Sequence, residues 1–161
     1  MVRVCFVCLG NICRSPTAEG IMLSLVRAAQ LDGEIKVDSA GTSAFHVGER
    51  ADRRSRAAAE LHGIELPSRA RRFVAADFER FDYIIAMDTS NKRNIAALSR
   101  RAVDSQKISL LCDFDPQSSQ GASVPDPYYG GEAGFENVFQ LCKRGCEGLL
   151  EHICAQHDLK S

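Results

Sequence analysis

A thiol and a guanidinium stand six positions apart, between a strand-like run and a helix that starts with proline. They belong to Cys8 and Arg14, within the sequence C-L-G-N-I-C-R-S. The preceding run, residues 2–7, is short and rich in β-branched and aromatic residues, which is typical of a buried parallel strand. Ser15 is predicted to be the N-cap of the following helix and Pro16 its first residue. The chain therefore has to turn sharply here, from a sheet into a helix.

The segment between the thiol and the guanidinium has to curl before both can act on one group. Fully extended, six residues span about 20 Å. Gly10 and Asn11 tolerate left-handed backbone conformations, and a chain that uses them turns successive N–H groups inward around an anion. The helix N-terminus adds unpaired N–H groups and the positive end of its dipole. We therefore predict that a phosphate group is bound by Leu9, Gly10, Asn11, Ile12, Cys13, Arg14 and Ser15.

Cysteine and arginine at this spacing have complementary chemical tasks. Backbone N–H nests, helix ends and nearby cations favour the thiolate form of a cysteine, which is its nucleophilic form, so Cys8 is predicted to attack the phosphate. Arg14 presents a planar fork that matches two phosphoryl oxygens. The Ser15 hydroxyl can donate to the Cys8 sulfur and help it leave later. The glycine-lysine pattern of P-loop NTPases and the three-glycine fingerprint of dinucleotide-binding proteins are both absent from this chain.

Metal binding is the alternative function for Cys5, Cys8 and Cys13. Residues three apart in a strand point to opposite faces of the sheet, so Cys5 and Cys8 are poorly placed to hold one ion together. We therefore expect no metal and no other cofactor.

Strand-like and helix-like runs alternate along the chain, which is typical of a parallel sheet with right-handed crossovers. The strands are predicted at residues 2–7, 35–38, 83–87 and 108–112. The carboxyl ends of parallel strands share one edge of the sheet, where ligands bind. The segment that follows the fourth strand can therefore lie over the loop that follows the first strand.

The stretch from Asp113 to Gly134 contains three prolines and four glycines and no periodic apolar pattern. A structureless loop of this length is usually functional. Asp126, between two prolines, is the carboxyl group that we place above the phosphate, where it would protonate the leaving group and then activate water. Asp-Pro is also a common turn starter. Asp113, Asp115 and Asp158 are further acidic residues in this half of the chain.

Over essentially its whole length the chain resembles the low-molecular-weight protein tyrosine phosphatases. The shared motifs are V-C-F-V-C-L-G-N-I-C-R-S-P-T-A-E at 4–19, D-S-A-G-T at 38–42, H-G-I at 62–64 and D-P-Y-Y-G at 126–130. The resemblance implies one α/β domain over residues 1–161, a three-layer sandwich whose four-stranded parallel sheet has the order 2-1-3-4 and is flanked by helices. It also implies hydrolysis of phosphotyrosine and small aryl phosphates through a phosphocysteine intermediate, with Cys8, Arg14 and Asp126 as catalytic residues.

The resemblance also implies a pocket for the substrate ring. Tyr128 and Tyr129 follow the predicted acid, and with Ile12 and Phe45 they would enclose a slot for a flat phenyl ring. Many members of the family that this chain resembles have tryptophan or tyrosine at the position that Phe45 occupies here. We therefore expect the lip of this pocket to accept different peptides.

A set of supporting residues is implied in the same way. Ser39 and His62 are expected to hydrogen-bond toward Asn11 and hold its strained backbone in place, and Ser15 supports the loop beside them.

Cys13 lies within the curled segment, so its sulfur can approach that of Cys8. A reversible Cys8–Cys13 disulfide would protect the nucleophile from irreversible oxidation, and family members with this second cysteine show such behaviour. We therefore expect the protein to be redox-sensitive.

Three other functions share part of this pattern. Arsenate reductases of the related thiol-dependent type need further resolving cysteines around mid-chain, and none occurs between Cys13 and Cys112. Protein arginine phosphatases tend to carry threonine where Ile12 stands. A non-catalytic phosphate-binding or redox-sensing module could dispense with the acid, whereas Asp126 is present. The pattern favours a phosphatase that acts on an aromatic substrate.

Composition limits the compartment and the partners. Seven dispersed cysteines and a catalytic thiol that must stay reduced indicate a cytoplasmic protein. The net charge of −1 gives no argument for nucleic acid, and the apolar runs fall far short of the ~20 residues that span a bilayer. We expect phosphotyrosine-containing proteins or peptides as partners, no nucleic acid and no membrane, inhibition by phosphate and vanadate, and a monomer or weak homodimer.

Overall fold

The chain forms a four-stranded sheet with helices on both faces. The computed structural model describes residues 1–160. All neighbouring strands are parallel and their order is β2-β1-β3-β4, so the predicted topology is confirmed. The strands are β1 (Val2–Cys8), β2 (Ile35–Gly41), β3 (Tyr83–Ala86) and β4 (Ile108–Leu110). The helices are α1 (Arg14–Ala28), α2 (Arg53–Glu60), α3 (Asp77–Arg80), α4 (Thr89–Ala96), α5 (Ala102–Gln106) and α6 (Glu132–His157), with a 3-10 helix at Leu111–Phe114.

Strand β1 lies inside the sheet and contributes to both cores. Phe6 and Cys8 belong to the core that includes residues of α1 and α6, whereas Cys5 and Val7 belong to the core that includes residues of α3 and α4. This alternation follows from the two-residue period of a strand. It explains why the strand is an unbroken apolar run, and it places Cys5 and Cys8 on opposite faces.

Helix α1 begins earlier than the sequence predicts. Its N-cap is Cys13 and its first residue is Arg14, so the assignments of Ser15 as N-cap and Pro16 as first residue are wrong. The Ser15 hydroxyl contacts the sulfur of Cys8 and the side-chain amide of Asn11. Pro16 still lies in the first turn, where its missing N–H costs no helical hydrogen bond.

All four strands end at a different residue from the one predicted, β1 and β3 by one residue and β2 and β4 by more. Strand β2 extends to Gly41 because it pairs with β1 along all seven residues. Strand β4 ends at Leu110, and Leu111 and Cys112 lie in the 3-10 helix, which packs against α6. The irregular segment that remains, residues 115–131, is called the acid loop below.

The close packing of α6 on the 3-10 helix depends on Gly148. A Cβ atom at this position would overlap the carbonyl oxygen of Phe114. We expect Gly148→Ala to lower the free energy of unfolding by about 1–3 kcal/mol, because overpacking against a backbone group cannot be relieved by a side-chain rotation. Urea denaturation measures this change. Gly33→Ala is the control, since a Cβ there meets nothing within 4 Å; equal losses in both variants would contradict the prediction.

Candidate active site

The loop from Cys8 to Ser15 curls around the sulfur of Cys8 at the carboxyl end of β1. Asn11 has a left-handed backbone, with φ of 56°. Its N–H donates to the Cys8 sulfur at 3.3 Å, and the Ser15 hydroxyl lies 2.9 Å from the same atom. These donors stabilise negative charge on the sulfur.

Gly10 serves the loop in a different way from the one predicted, because its backbone is not left-handed. A Cβ atom on Gly10 would lie 3.0 Å from Cδ2 of His46, which is tighter than ordinary packing. The missing side chain makes room for the His46 ring at the edge of the loop. Asn11 alone provides the left-handed turn.

The side-chain amide of Asn11 holds the curled loop in place. Its Nδ2 donates to the hydroxyl oxygens of Ser15 at 2.8 Å and Ser39 at 2.9 Å. Its Oδ1 accepts the backbone N–H of Arg71 at 3.0 Å. The amide is thereby bonded to the first turn of α1, to β2 and to the segment that follows α2.

Glu19 is a member of this network that sequence reasoning missed. Its side chain is buried, and burial raises its pKa above the ordinary value while the hydrogen bond from Ser39, 2.6 Å long, opposes that shift. Because Asn11 donates to both serines, the Ser39 proton is left for Glu19 and the Ser15 proton for Cys8. The spacing of four residues from Ser15 places Glu19 on the same helix face, which is the signal that points to it.

His62 is not part of this network, so its predicted role is wrong. Its Nε2 lies 2.8 Å from Oε1 of Glu136, and its ring stacks on Phe139 with 4.1 Å between centroids. Both partners belong to α6. The chain turns beyond the end of α2, at Gly63 with φ of 73°, and His62 contacts α6 instead of the loop.

Arg14 is buried beneath the loop and fixed by several oxygens. Its Nη1 donates to Oδ2 of Asp88 at 2.6 Å and to the carbonyl of Val124 at 3.1 Å. Burial acts to lower the pKa of Arg14, but the charge on Cys8 and the hydrogen bond and charge of Asp88 raise it above its ordinary value. The guanidinium is thus a permanent cation in a set orientation.

Asp88 combines two tasks at the carboxyl end of β3. Its Oδ2 pairs with Arg14, while its Oδ1 accepts the N–H of Asn91 at 2.7 Å and caps α4. The cap keeps the carboxylate from rotating away from the guanidinium. Arg14 is thereby positioned by the neighbouring strand.

The acid loop is tied to the sheet just before Asp126. The Val124 N–H donates to the carbonyl of Met87 at 2.8 Å, and the Val124 carbonyl accepts from Arg14. Two residues later, Oδ2 of Asp126 lies 3.8 Å from Nη2 of Arg14, and Oδ1 accepts the Tyr128 N–H at 3.0 Å. The carboxyl group therefore faces the guanidinium.

The other three aspartates considered in the sequence analysis have structural roles. Asp115 is buried and accepts from Ser118 and Arg144, which is why its pKa lies below the ordinary value despite its burial. Asp113 accepts the N–H of Gly121, and Asp158 is the left-handed residue that ends α6. Of the four, Asp126 lines the cavity that contains Cys8.

A cavity of about 400 Å³ opens above the Cys8 sulfur. Ile12 lies buried in its wall, Tyr128 is half-buried, and Phe45 and Tyr129 are 84% and 96% exposed at its lip. The Tyr128 and Tyr129 rings meet edge to face, 5.0 Å apart. All four predicted pocket residues line this cavity, and His46 lines it as well, without having been predicted from the sequence.

Cys13 is among the residues that line this cavity, and it packs with Ala70 and Phe135 in a small apolar cluster. Burial raises the pKa of Cys13 to about 12, so its thiol is protonated at neutral pH. Its disulfide with Cys8 stays a prediction.

Within residues 1–160, no three or more His, Cys, Asp and Glu side chains are grouped to hold a metal ion. In the same part of the chain, no helix combines the length and apolarity needed to cross a membrane.

Comparisons with known proteins agree with this geometry. The family model for low molecular weight phosphotyrosine protein phosphatase matches residues 3–159. A low molecular weight protein-tyrosine-phosphatase of Streptomyces coelicolor is 42% identical over 96% of this chain and 94% of its own length. A protein tyrosine phosphatase of Entamoeba histolytica superposes with a TM-score of 0.92 and 38% identity, covering 99% and 100% of the two chains. A Drosophila arginine phosphatase superposes with a TM-score of 0.82 and 35% identity, covering 93% and 96%.

Proposed function

Because this chain belongs to the low molecular weight phosphotyrosine protein phosphatase family, we propose that Cys8, Arg14 and Asp126 hydrolyse phosphotyrosine in two steps. The protein is a cysteine-dependent hydrolase of this family. The observation that carries the residue assignment is that all three side chains line one cavity. The loop N–H groups and the Arg14 guanidinium bind the three non-bridging phosphoryl oxygens.

In the first step the Cys8 thiolate attacks phosphorus and the bond to the tyrosyl oxygen breaks. Asp126 gives its proton to the departing phenolate, and phosphocysteine remains. Asp88 holds the Arg14 guanidinium in a fixed position. The guanidinium therefore does not have to move to stabilise the phosphoryl oxygens as the transition state forms.

In the second step the Asp126 carboxylate takes a proton from a water molecule that attacks phosphorus. The P–S bond breaks and inorganic phosphate is released. The leaving sulfur is again a thiolate, stabilised by the Ser15 hydroxyl and the Asn11 N–H. The network that ends in Glu19 keeps both donors aimed at the sulfur.

The walls of the cavity favour an aromatic substrate. Ile12 offers no hydrogen-bonding group to a guanidinium, whereas Tyr128 presents a face for a phenyl ring. The arginine phosphatase relative makes phosphoarginine the second candidate. Arsenate reduction is less favoured, because Cys112, Cys142 and Cys146 are buried in the core and unavailable as resolving thiols.

Inhibition and cellular context follow from the same proposal. Inorganic phosphate and vanadate fit the loop and should compete with substrate. The seven free thiols support a cytoplasmic location for the protein. The proposed oligomeric state is a monomer or a weak homodimer. Phosphotyrosine-containing proteins are the proposed partners.

A substrate panel in the presence of a metal chelator tests this function. We expect hydrolysis of p-nitrophenyl phosphate and of phosphotyrosine peptides, with phosphoarginine and phosphoserine peptides on the order of 10²-fold slower, because only the aromatic ring fills the slot. Phosphate release measures each rate, and thiol consumption measures arsenate reduction. Faster release from phosphoarginine than from phosphotyrosine would assign the second candidate instead.

A further inference from the structure

A second cavity, about 840 Å³ in volume, lies between α2 and the first turns of α6. Its apolar walls are formed by Ala57, Ala58 and Leu61 on one side and Ala133 and Phe135 on the other. Leu61 is 84% exposed there, so its apolar side chain is open to a binding partner. We call this cavity the flank groove.

The side chain of Arg54 lies between the flank groove and the catalytic cavity. The guanidinium of Arg54 lies 5.4 Å from the ring centroid of Tyr128 and 4.6 Å from that of Phe135. Asp52 fixes it by accepting from Nε and Nη2, both at 3.1 Å. Tyr128 lines the catalytic cavity and Phe135 lines the flank groove. A single cation–π stack therefore separates the two.

We propose that the flank groove binds one apolar side chain of the substrate, in the segment that flanks the phosphotyrosine. This rests on the proposed function. The argument is continuity: an extended residue spans about 3.3 Å, so about three residues carry a peptide from the Tyr128 ring past Arg54 to Phe135. The peptide side chain would cover Leu61 and the alanines of both helices.

The residues around the groove favour an apolar occupant over an acidic one. Arg53 contributes one positive charge, and Glu60 on α2 and Glu132 on α6 contribute two negative charges. Arg54 is already paired with Asp52, and Glu136 with His62. The groove therefore carries a small negative excess that opposes an acidic segment, and its apolar walls favour an apolar side chain.

The test is a positional scan with alanine nonapeptides that carry a central phosphotyrosine and a single leucine at each other position in turn. We expect one leucine position, two to four residues from the phosphotyrosine, to raise kcat/KM about 5- to 10-fold over the all-alanine peptide, as partial burial of one leucine does. Leu61→Asp and Ala133→Gln, which change opposite walls, should each remove this preference. Val103→Asp, an exposed apolar residue on α5, is the matched control and should retain it.

Hydrolysis of p-nitrophenyl phosphate separates this proposal from the proposed function. This substrate carries no flanking residues, so both groove variants should hydrolyse it at the same rate as the parent enzyme. If the parent enzyme hydrolyses no aryl phosphate, the proposed function fails. The groove proposal would be overturned if kcat/KM were the same for every leucine position, or if the leucine preference survived in both variants. It would also be overturned if the variants lost as much activity on p-nitrophenyl phosphate as on the preferred peptide. The proposal would also be overturned if the protein formed a dimer, and Leu61→Asp dissociated that dimer without changing the peptide preference.

Discussion

Cys8→Ser is expected to reduce turnover of p-nitrophenyl phosphate by on the order of 10⁴- to 10⁶-fold, because removal of a nucleophile leaves only binding and electrostatic assistance. A serine hydroxyl stays protonated beside the same donors and attacks phosphorus far more slowly than a thiolate. The loop N–H groups and Arg14 are unchanged, so inorganic phosphate should still bind. Steady-state kinetics measures the loss, and titration calorimetry with phosphate measures the retained binding.

Cys13→Ser is the matched control for this experiment. It makes the same substitution in the same loop, on a thiol that is buried and protonated. In reducing buffer it should keep turnover within a few-fold of the parent enzyme. Retained turnover in Cys8→Ser together with loss in Cys13→Ser would exchange the roles of the two cysteines.

The curl of the loop from Cys8 to Ser15 was predictable because its main constraints are local. The six-residue spacing from Cys8 to Arg14 restricts the ways in which both side chains can meet one anion. The left-handed backbone of Asn11 follows from a residue type that tolerates it. The order of the strands came from the family resemblance, since alternating strands and helices alone do not distinguish 2-1-3-4 from other parallel orders.

The wrong or missing predictions concern residues whose roles depend on contacts with distant parts of the chain. Ser15 can cap a helix or donate to a sulfur, and both are good hydrogen bonds; the curl of the loop settles the choice in favour of Cys8. His62 follows a short helix whose end turns toward α6, a direction that no local pattern indicates. Glu19 was missed because a buried carboxylate is rare unless partners far along the chain receive it, here Ser39 of β2.

Arg14 is the side chain through which the separate parts of the site depend on one another. It belongs to the first turn of α1, pairs with Asp88 after β3 and holds the carbonyl of Val124 in the acid loop. The group that we propose to bind phosphate thus also anchors the segment that carries the proposed acid. The contact of Arg14 with Val124 therefore helps to place Asp126 at the cavity, and under the proposed mechanism removal of the Asp126 carboxyl group should affect chemistry more than binding.

Asp126→Ala is accordingly expected to slow turnover by about 10²- to 10⁴-fold on substrates with poor leaving groups, because the phenolate then departs without a proton. The loss should be smaller in the first step with p-nitrophenyl phosphate, whose nitrophenolate leaves readily without protonation. Phosphocysteine should then accumulate, since the second step has lost its base, and rapid-quench kinetics would show a burst of nitrophenolate. Asp113→Ala, an exposed aspartate bonded to the Gly121 N–H, is the control and should stay within about twofold. If the rate of the first step in Asp126→Ala, measured as the burst, depended on the leaving group no more steeply than in the parent enzyme, another group would have to supply the proton.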